Sequence, residues 1–402
     1  MSRTKGVRRE DFFSFVRARA AEIIGAESLK RKLGSGRELR VKLGIDPTAP
    51  DLHLGHIVPL RMLAAFQKAG HRAVLIIGDF TAQIGDPSGK SQTRRGLSPA
   101  ETKINERAYR HQIGRVLDVK KAEVRHNREW FGRMRLENFL GLLSSFSLKS
   151  AWQREDFQKR LKSGKEVGLH EAMYHVLQAY DSVMVRADVE LGSCDQRLNI
   201  LAGRELQNKL GLKSGPQDVV LLPYLIGLDG HKKMSKSLGN TINIGESAEA
   251  MFGKVMSIPD NLIINYAELA AWLPTREVRT LEDKIKGGAN PRDAKMEVAE
   301  AVTALWHGPD KAQQSRDWFA GLFSKKDLSQ KLPGVRLKPG SFGAVDLVIT
   351  LKAAGSKAEA RRLIKGRALE VDGKTVALDS GAVDVRRGSV IRVGKKKFFR
   401  VV

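Results

Sequence analysis

Apolar and polar residues follow two rhythms along this chain, and the change from one to the other marks its elements. Val41–Ile45 is a short apolar run that reads as a buried strand. Asp46-Pro47-Thr48 ends it, because Pro47 has no N–H to give a ladder. An apolar-periodic segment from Ile57 to Phe66, stopped at Gly70, predicts a helix. Ala73-Val74-Leu75-Ile76-Ile77-Gly78 is a second buried strand. Strand, helix and strand in this order predict a right-handed βαβ unit and a parallel sheet. Residues 98–165 read as a helical insertion. It opens at Ser98-Pro99-Ala100-Glu101, a cap followed by proline at the first helical position. Its Trp130, Phe131, Phe139, Leu140, Leu142, Leu143 and Phe146 fall at the spacing of a core or of a subunit contact. Ala187–Leu191 is a further strand.

The flanking segments have their own patterns. Residues 1–40 read as a helical cover, with Phe12, Phe13, Phe15 and Val16 among basic residues. Residues 245–332 read as a polar helical domain anchored by Trp272, Trp306 and Trp318, and 333–345 as a Pro- and Gly-bearing linker. Residues 346–402 read as a helix over 356–366 followed by a hairpin, Leu369–Val371 and Thr375–Leu378 about Asp372-Gly373. The expected fold is therefore α/β, a Rossmann-like doubly wound parallel sheet over 41–244, then a helical domain and a small α+β domain.

Composition narrows the class. A chain of 402 residues suffices for two or three domains. The formal net charge of +25 points to a polyanionic partner, with nucleic acid the first expectation. Residues 346–402 hold 14 Lys and Arg against 6 acids, a surplus of 8. One cysteine, Cys194, excludes an internal disulfide and suits a reducing cytoplasm. No apolar run is long enough to span a membrane, and the basic N-terminal residues lead into no signal-peptide core.

Chemistry concentrates at strand ends and in one distant loop. His53-Leu54-Gly55-His56 stands at a helix start just past the first strand, where free N–H groups suit phosphate. Alone it is a short match that a surface helix start also produces. Its counterpart is Asp229-Gly230-His231-Lys232-Lys233-Met234-Ser235-Lys236-Ser237, a turn and a basic, hydroxyl-rich loop fit for a polyphosphate. Asp86 lies in a Gly/Pro/Ser-rich loop, with Lys90 and Arg94 nearby. Tyr174, Gln178 and Asp181 share one helical face. Asp195 and Gln196 follow the third strand. The dinucleotide fingerprint G-x-G-x-x-G is absent after the first strand.

HLGH and KMSKS, in this order, resemble the paired signatures of class I aminoacyl-tRNA synthetases. The Tyr-x-x-x-Gln-x-x-Asp helix, the Asp195-Gln196 loop and Asn290-Pro291-Arg292-Asp293-Ala294-Lys295 resemble the bacterial tyrosyl branch of that family, and residues 346–402 resemble an S4 RNA-binding domain. The resemblance implies ATP, with Mg²⁺, as cosubstrate, L-tyrosine and tRNA(Tyr) as partners, and a homodimer joined through the insertion. It implies that Asp86, Tyr174 and Gln178 hold the substrate ammonium and that Asp181 meets the phenolic hydroxyl. Asp46, Asp195 and Gln196 flank the amino acid and ribose. Thr48, His53, Gly55 and His56 meet ATP. Lys90, Arg94, Lys233, Met234, Ser235, Lys236 and Ser237 form phosphate-clamping loops, and His53, His56, Lys233 and Lys236 are the catalytic set. Arg361, Arg362 and Lys365 are expected to contact RNA.

There are departures. Ser193, Cys194 and Ala179 replace a glycine, a hydroxyl residue and a glycine of the family. Some members place a tyrosine near the phenolic hydroxyl where this chain has Lys42. Two other readings stand beside the tyrosyl one: the sister enzyme for tryptophan, and a non-catalytic RNA-binding protein on a synthetase scaffold.

Overall fold

A computed structural model of the chain describes residues 9–87, 96–149, 154–324, 334–335, 337, 339–351, 353–378, 380–394 and 397–402. The chain forms two compact units, 1–313 and 314–402.

The first unit is built on six strands, β1 (Glu22–Ile24), β2 (Arg40–Ile45), β3 (Arg72–Ile77), β4 (Glu123–His126), β5 (Val189–Ser193) and β6 (Asp218–Leu222). Their order across the sheet is β1-β6-β5-β2-β3-β4. β2 to β6 are parallel and β1 is antiparallel to β6. From β2 the chain winds outward through β3 to β4, then returns to place β5 and β6 on the other side. The winding reverses between β2 and β5, and ligands enter such sheets at the carboxyl ends of the strands at that point.

The helices up to β6 include α1 (Arg9–Arg19), α2 (Ala26–Gly34), α3 (Leu54–Lys68), α4 (Pro99–Ile113), α5 (Arg128–Phe131), α6 (Leu136–Leu143), α7 (Glu155–Lys162), α8 (Leu169–Met184) and α9 (Arg197–Lys209). Val74 and Ile76 of β3 pack with Trp130, Phe131 and Leu177 on one face. α3 packs on β2 and β3, so the alternate side chains of those strands meet it on the other face. Ser98 caps α4 as its sequence predicts: Ser98 Oγ accepts from the Glu101 N–H at 3.2 Å, and Glu101 Oε2 accepts from the Ser98 N–H at 2.8 Å. After β6 come α10 (Ala248–Met256), α11 (Ile263–Leu269), α12 (Thr275–Lys286), α13 (Pro291–His307) and α14 (Pro309–Ser324). Asn290 caps α13.

Three strands escape the sequence pattern. The insertion is not all helix: β4 lies inside it and pairs with β3. Its sequence, Glu-Val-Arg-His, sits half-buried at the sheet edge and so carries no apolar run. β1, three residues long, occupies the other edge within the expected helical cover. β6 is fully buried. β5 starts and ends two residues later than expected, so Gly192 and Ser193 belong to the strand, opposite Leu221 and Leu222.

The second unit holds β7 (Gly334–Val335), β8 (Gly340–Gly343), α15 (Ala344–Thr350), α16 (Lys357–Lys365), β9 (Leu369–Val371), β10 (Lys374–Thr375), β11 (Ala382–Val385), β12 (Val390–Val393) and β13 (Lys397–Val401). Leu347, Val348, Ile364, Leu369, Val385 and Ile391 form its core. Asp372 (φ 49°) and Gly373 (φ 79°) make the expected turn between β9 and β10. Positive φ at both positions gives the twist a two-residue hairpin needs. The stretch expected as a linker contributes β7, which pairs with β13, and β8, which pairs with β11.

Candidate active site

A cavity of about 450 Å³ opens where β2 and β5 diverge. Asp46, Thr48, His53, Gly55, His56, Asp86, Tyr174, Gln178, Asp181, Asp195, Gln196, Lys233, Met234, Ser235, Lys236 and Ser237 all line it. Lys90 and Arg94 lie outside the described residues. Arg361, Arg362 and Lys365 are exposed on α16 of the second unit.

The closed end of the cavity is built around Asp181, 4 % exposed on α8. Trp130 Nε1 donates to its Oδ1 at 2.9 Å and Asn127 Nδ2 to its Oδ2 at 3.4 Å. Burial pushes this carboxyl up to about 7, against the pull of Lys42 and of these two donors. Nearer the mouth, Asp46 takes the Tyr174 hydroxyl at 2.7 Å and the Thr81 hydroxyl at 2.8 Å. Burial, then the nearby charges of Asp46 and Asp86, hold the Tyr174 phenol well above its ordinary value, so it stays a donor. Asp86 Oδ2 accepts from Gln196 Nε2 at 2.9 Å. That contact ends a chain that begins in the insertion: buried Arg154 donates to Asn199 Oδ1 at 3.0 Å, and Asn199 donates to Gln196 Oε1 at 3.0 Å.

On the opposite wall the two signature segments meet. The His53 and His56 rings stack with centroids 3.7 Å apart. His56 Nδ1 accepts from the His53 backbone N–H at 3.4 Å, which leaves Nε2 as the protonated nitrogen. Burial, then the charges of Lys236 and Lys233, lowers His53 to about 3, so its ring is neutral at physiological pH. A β-bridge joins His53 to Asn243, beyond the lysine loop. Leu54 N–H donates to the Ile242 carbonyl and Ile244 N–H to the Leu52 carbonyl, each at 3.0 Å. Within that loop buried Asn240 accepts from the Ser235 N–H at 2.7 Å and donates to Asp229 at 2.7 Å and to the Lys233 carbonyl at 3.2 Å. Lys233 pairs with Asp195 and Lys236 reaches the Asp51 carbonyl.

The sequence patterns gave Thr81, Asn127, Asn199 and Asn240 no role in the site, and Trp130 one in packing alone. Asn127 and Trp130 follow β4, the strand that the helical reading of the insertion hid. Of the departures at the end of β5 and just beyond it, Ser193 lines the cavity. Cys194 Sγ instead donates to the Leu222 carbonyl at 3.3 Å, and burial raises its thiol.

Residues 34–324 match the family of class I tRNA synthetases for tryptophan and tyrosine. A tyrosine–tRNA ligase of Moorella thermoacetica is 42 % identical over 391 residues, 96 % of this chain and 94 % of its own. That of Aquifex aeolicus is 40 % identical over 98 % of this chain and 99 % of its own. Among solved structures, the tyrosyl-tRNA synthetase of Archaeoglobus fulgidus complexed with L-tyrosine has the same fold, with TM-score 0.61 and 20 % identity over 77 % of this chain and 99 % of its own. A truncated mitochondrial tyrosyl-tRNA synthetase of Coccidioides posadasii gives TM-score 0.61 at 22 % identity, over 76 % and 91 %.

Proposed function

The chain belongs to the class I tyrosyl-tRNA synthetase family, and from that premise we propose how its cavity divides the work of a tyrosine–tRNA ligase. The enzyme joins tyrosine to ATP as tyrosyl-adenylate, releasing pyrophosphate, and then passes the tyrosyl group to the terminal adenosine of tRNA(Tyr). The carboxylate at the closed end, fixed by two neutral donors from another segment, is the observation that carries the assignment of tyrosine.

The tyrosine ring lies between β2 and α8 with its hydroxyl donating to Asp181. The ammonium group meets Asp86, Tyr174 and Gln178, with Asp46 and Gln196 beside them. This orientation sends the substrate carboxylate toward the HLGH wall. ATP enters as its magnesium complex, with the ribose at Asp195 and the phosphates between Thr48, His53, Gly55 and His56 on one side and Lys233 to Ser237 on the other. Lys90 and Arg94 belong to the same phosphate clamp.

In-line attack by the tyrosine carboxylate oxygen on the α-phosphorus expels pyrophosphate. Charge grows on the leaving oxygens, and the imidazole N–H groups of His53 and His56 and the ammonium groups of Lys233 and Lys236 stabilise it. Catalysis is then positioning and charge stabilisation, with no covalent enzyme intermediate. Ribose competes with Lys233 for Asp195, so ATP binding frees this lysine for the phosphates.

Arg361, Arg362 and Lys365 offer an RNA a cationic helix face, in keeping with shape and phosphate recognition. The insertion exposes Leu136, Leu140 and Leu148, each more than half accessible, and these suit a contact between two copies of the chain. No helix among the described residues is long and apolar enough to cross a membrane, and a lone cysteine supports a reducing compartment such as the cytoplasm.

Tyrosine-dependent ATP–pyrophosphate exchange tests the reading. Exchange with tyrosine, little with phenylalanine or tryptophan, and a narrowed tyrosine-to-phenylalanine ratio in Asp181→Asn is the expected result. A folded, RNA-binding protein without exchange would leave the chain an RNA-binding scaffold, and tryptophan as the preferred substrate would move it to the sister enzyme.

A further inference from the structure

Behind the closed end of the cavity lies an ion pair that the reaction does not touch. Lys42 of β2 and Glu190 of β5 are 0 % and 1 % exposed, with Nζ and Oε1 2.8 Å apart. Neither lines the cavity. Burying two charges is expensive, and a pair with apolar replacements of similar volume is often as stable, so retention calls for another role. The partners of this pair suggest one. Lys42 Nζ also donates to the Gln178 carbonyl at 3.1 Å and to Ser182 Oγ at 2.7 Å. Glu190 accepts from Ser182 Oγ at 2.9 Å, from Gln178 Nε2 at 3.4 Å and from Gln217. The pair thus grips α8 on either side of Asp181.

We propose that Lys42, held in place by Glu190, is a positioning residue for tyrosine recognition: it fixes the Gln178–Ser182 turn that presents Asp181 to the phenolic hydroxyl and sets a buried positive charge near that carboxylate. This rests on the tyrosine-activating reading above.

The charge balance around Asp181 supports the assignment. β2 contributes Lys42 and, at its end, Asp46. β5 contributes Glu190, the loop after β3 contributes Asp86, and α8 itself contributes Tyr174. The segment after β4 supplies the neutral donors Asn127 and Trp130. Among these groups Lys42 is the cation, set against several acids in a buried site. Lys42 is also the largest influence opposing the upward push of burial on Asp181. It therefore does at a distance what a second hydroxyl beside the phenol does by contact: it favours a bound hydroxyl over a bare ring. Glu190 has two opposed effects. It holds Lys42 in place, and its own negative charge weakens the help Lys42 gives to Asp181.

That opposition makes the inference testable. The KM for tyrosine in pyrophosphate exchange is measured between about pH 6 and 9 for the wild type, Lys42→Met, Glu190→Gln and the double variant, each checked for folding by circular dichroism. Binding needs the Asp181 anion, so affinity falls as pH drops through its pKa. Lys42→Met moves that fall to higher pH, raising KM near neutrality about tenfold per pH unit of displacement with little change in kcat. Glu190→Gln keeps a side-chain oxygen for Lys42 to donate to and removes only the competing charge, so it moves the fall to lower pH. The double variant lies between the two. The tyrosine-to-phenylalanine ratio drops in Lys42→Met. If Lys42→Met does not fold, Glu190→Gln and the double variant decide. Coincident pH profiles, or single variants displaced in the same direction, would overturn the proposal. A wild type without tyrosine-dependent exchange would overturn the reading of the function instead.

Discussion

Replacing Gly78 by alanine adds one methyl group at the wall of the tyrosine site, and the geometry says where it lands. Gly78 follows β3 and has no positive φ, so the backbone accepts alanine. The new Cβ would lie 1.9 Å from Asp46 Oδ1 and 2.4 Å from Thr81 Oγ1. Ordinary contact begins at 3.4 Å, so Asp46 Oδ1 must retreat by about 1.5 Å, the difference of these two distances. That oxygen belongs to a carboxylate held by Thr81 at 2.8 Å and Tyr174 at 2.7 Å. Neither bond survives such a shift. A hydrogen bond to a charged group contributes about 1.5–3 kcal/mol. Two of them set an upper bound of about 6 kcal/mol. Asp46 is only half-buried, so water replaces part of the loss. We expect about 2–4 kcal/mol off kcat/KM for tyrosine, roughly 30- to 1,000-fold, with the KM for ATP nearly unchanged. The assay is pyrophosphate exchange at varied tyrosine and saturating ATP, beside a thermal melt to confirm folding. A folded Gly78→Ala enzyme within threefold of wild type would show that Asp46 is not locked, and the account of the ammonium end of the site would fail.

Three further outcomes follow from the same geometry. Asn199→Ala cuts the chain from Arg154 to Asp86 and leaves Gln196 free to rotate, which should raise the KM for tyrosine by about 1–2 kcal/mol with kcat nearly constant; an unchanged KM would disconnect Asp86 from the insertion. Lys236→Ala should lower kcat for activation about 10²- to 10³-fold with tyrosine affinity preserved, and equilibrium binding of tyrosine separates that from general damage. Tyrosine affinity should weaken below about pH 7, because Asp181 sits at about 7 and binding needs its anion, whereas His53, lowered to about 3, should add no limb to the profile of the chemical step between about pH 5 and 9.

The chemistry of this site was more legible in the sequence than the sheet that carries it. Contiguous motifs announced His53, His56 and the Lys233–Ser237 loop, and one helical stripe announced Tyr174, Gln178 and Asp181. These signals are local, so spacing alone exposes them. β1 and β4 are edge strands, the first too short and the second too polar to show a two-residue rhythm. Missing β4 hid Asn127 and Trp130, whose value comes from standing opposite Asp181 across the fold and from nothing in their own neighbourhood. Lys42 was visible only as a departure, because a buried lysine is recognisable as an ion pair only once Glu190 is brought beside it.

The edge strand β1 also bears on how the enzyme is made. Its ladder pairs Glu22 with Leu221, so 199 residues (221 minus 22) separate partners that must meet. At about 5–20 residues per second of synthesis, the N-terminal strand waits roughly 10–40 s for its partner to be translated. Until then Ile23 and Ile24 have no ladder to join, while β2, α3 and β3, close in sequence, can already pair. The sheet thus assembles from its centre, and its first-made strand is among the last to dock. Contacts this distant slow folding. A truncation that ends before β6 would leave two unprotected strands, β1 and the outer side of β5, and such a fragment should aggregate even though β2 to β5 and the HLGH segment are all present.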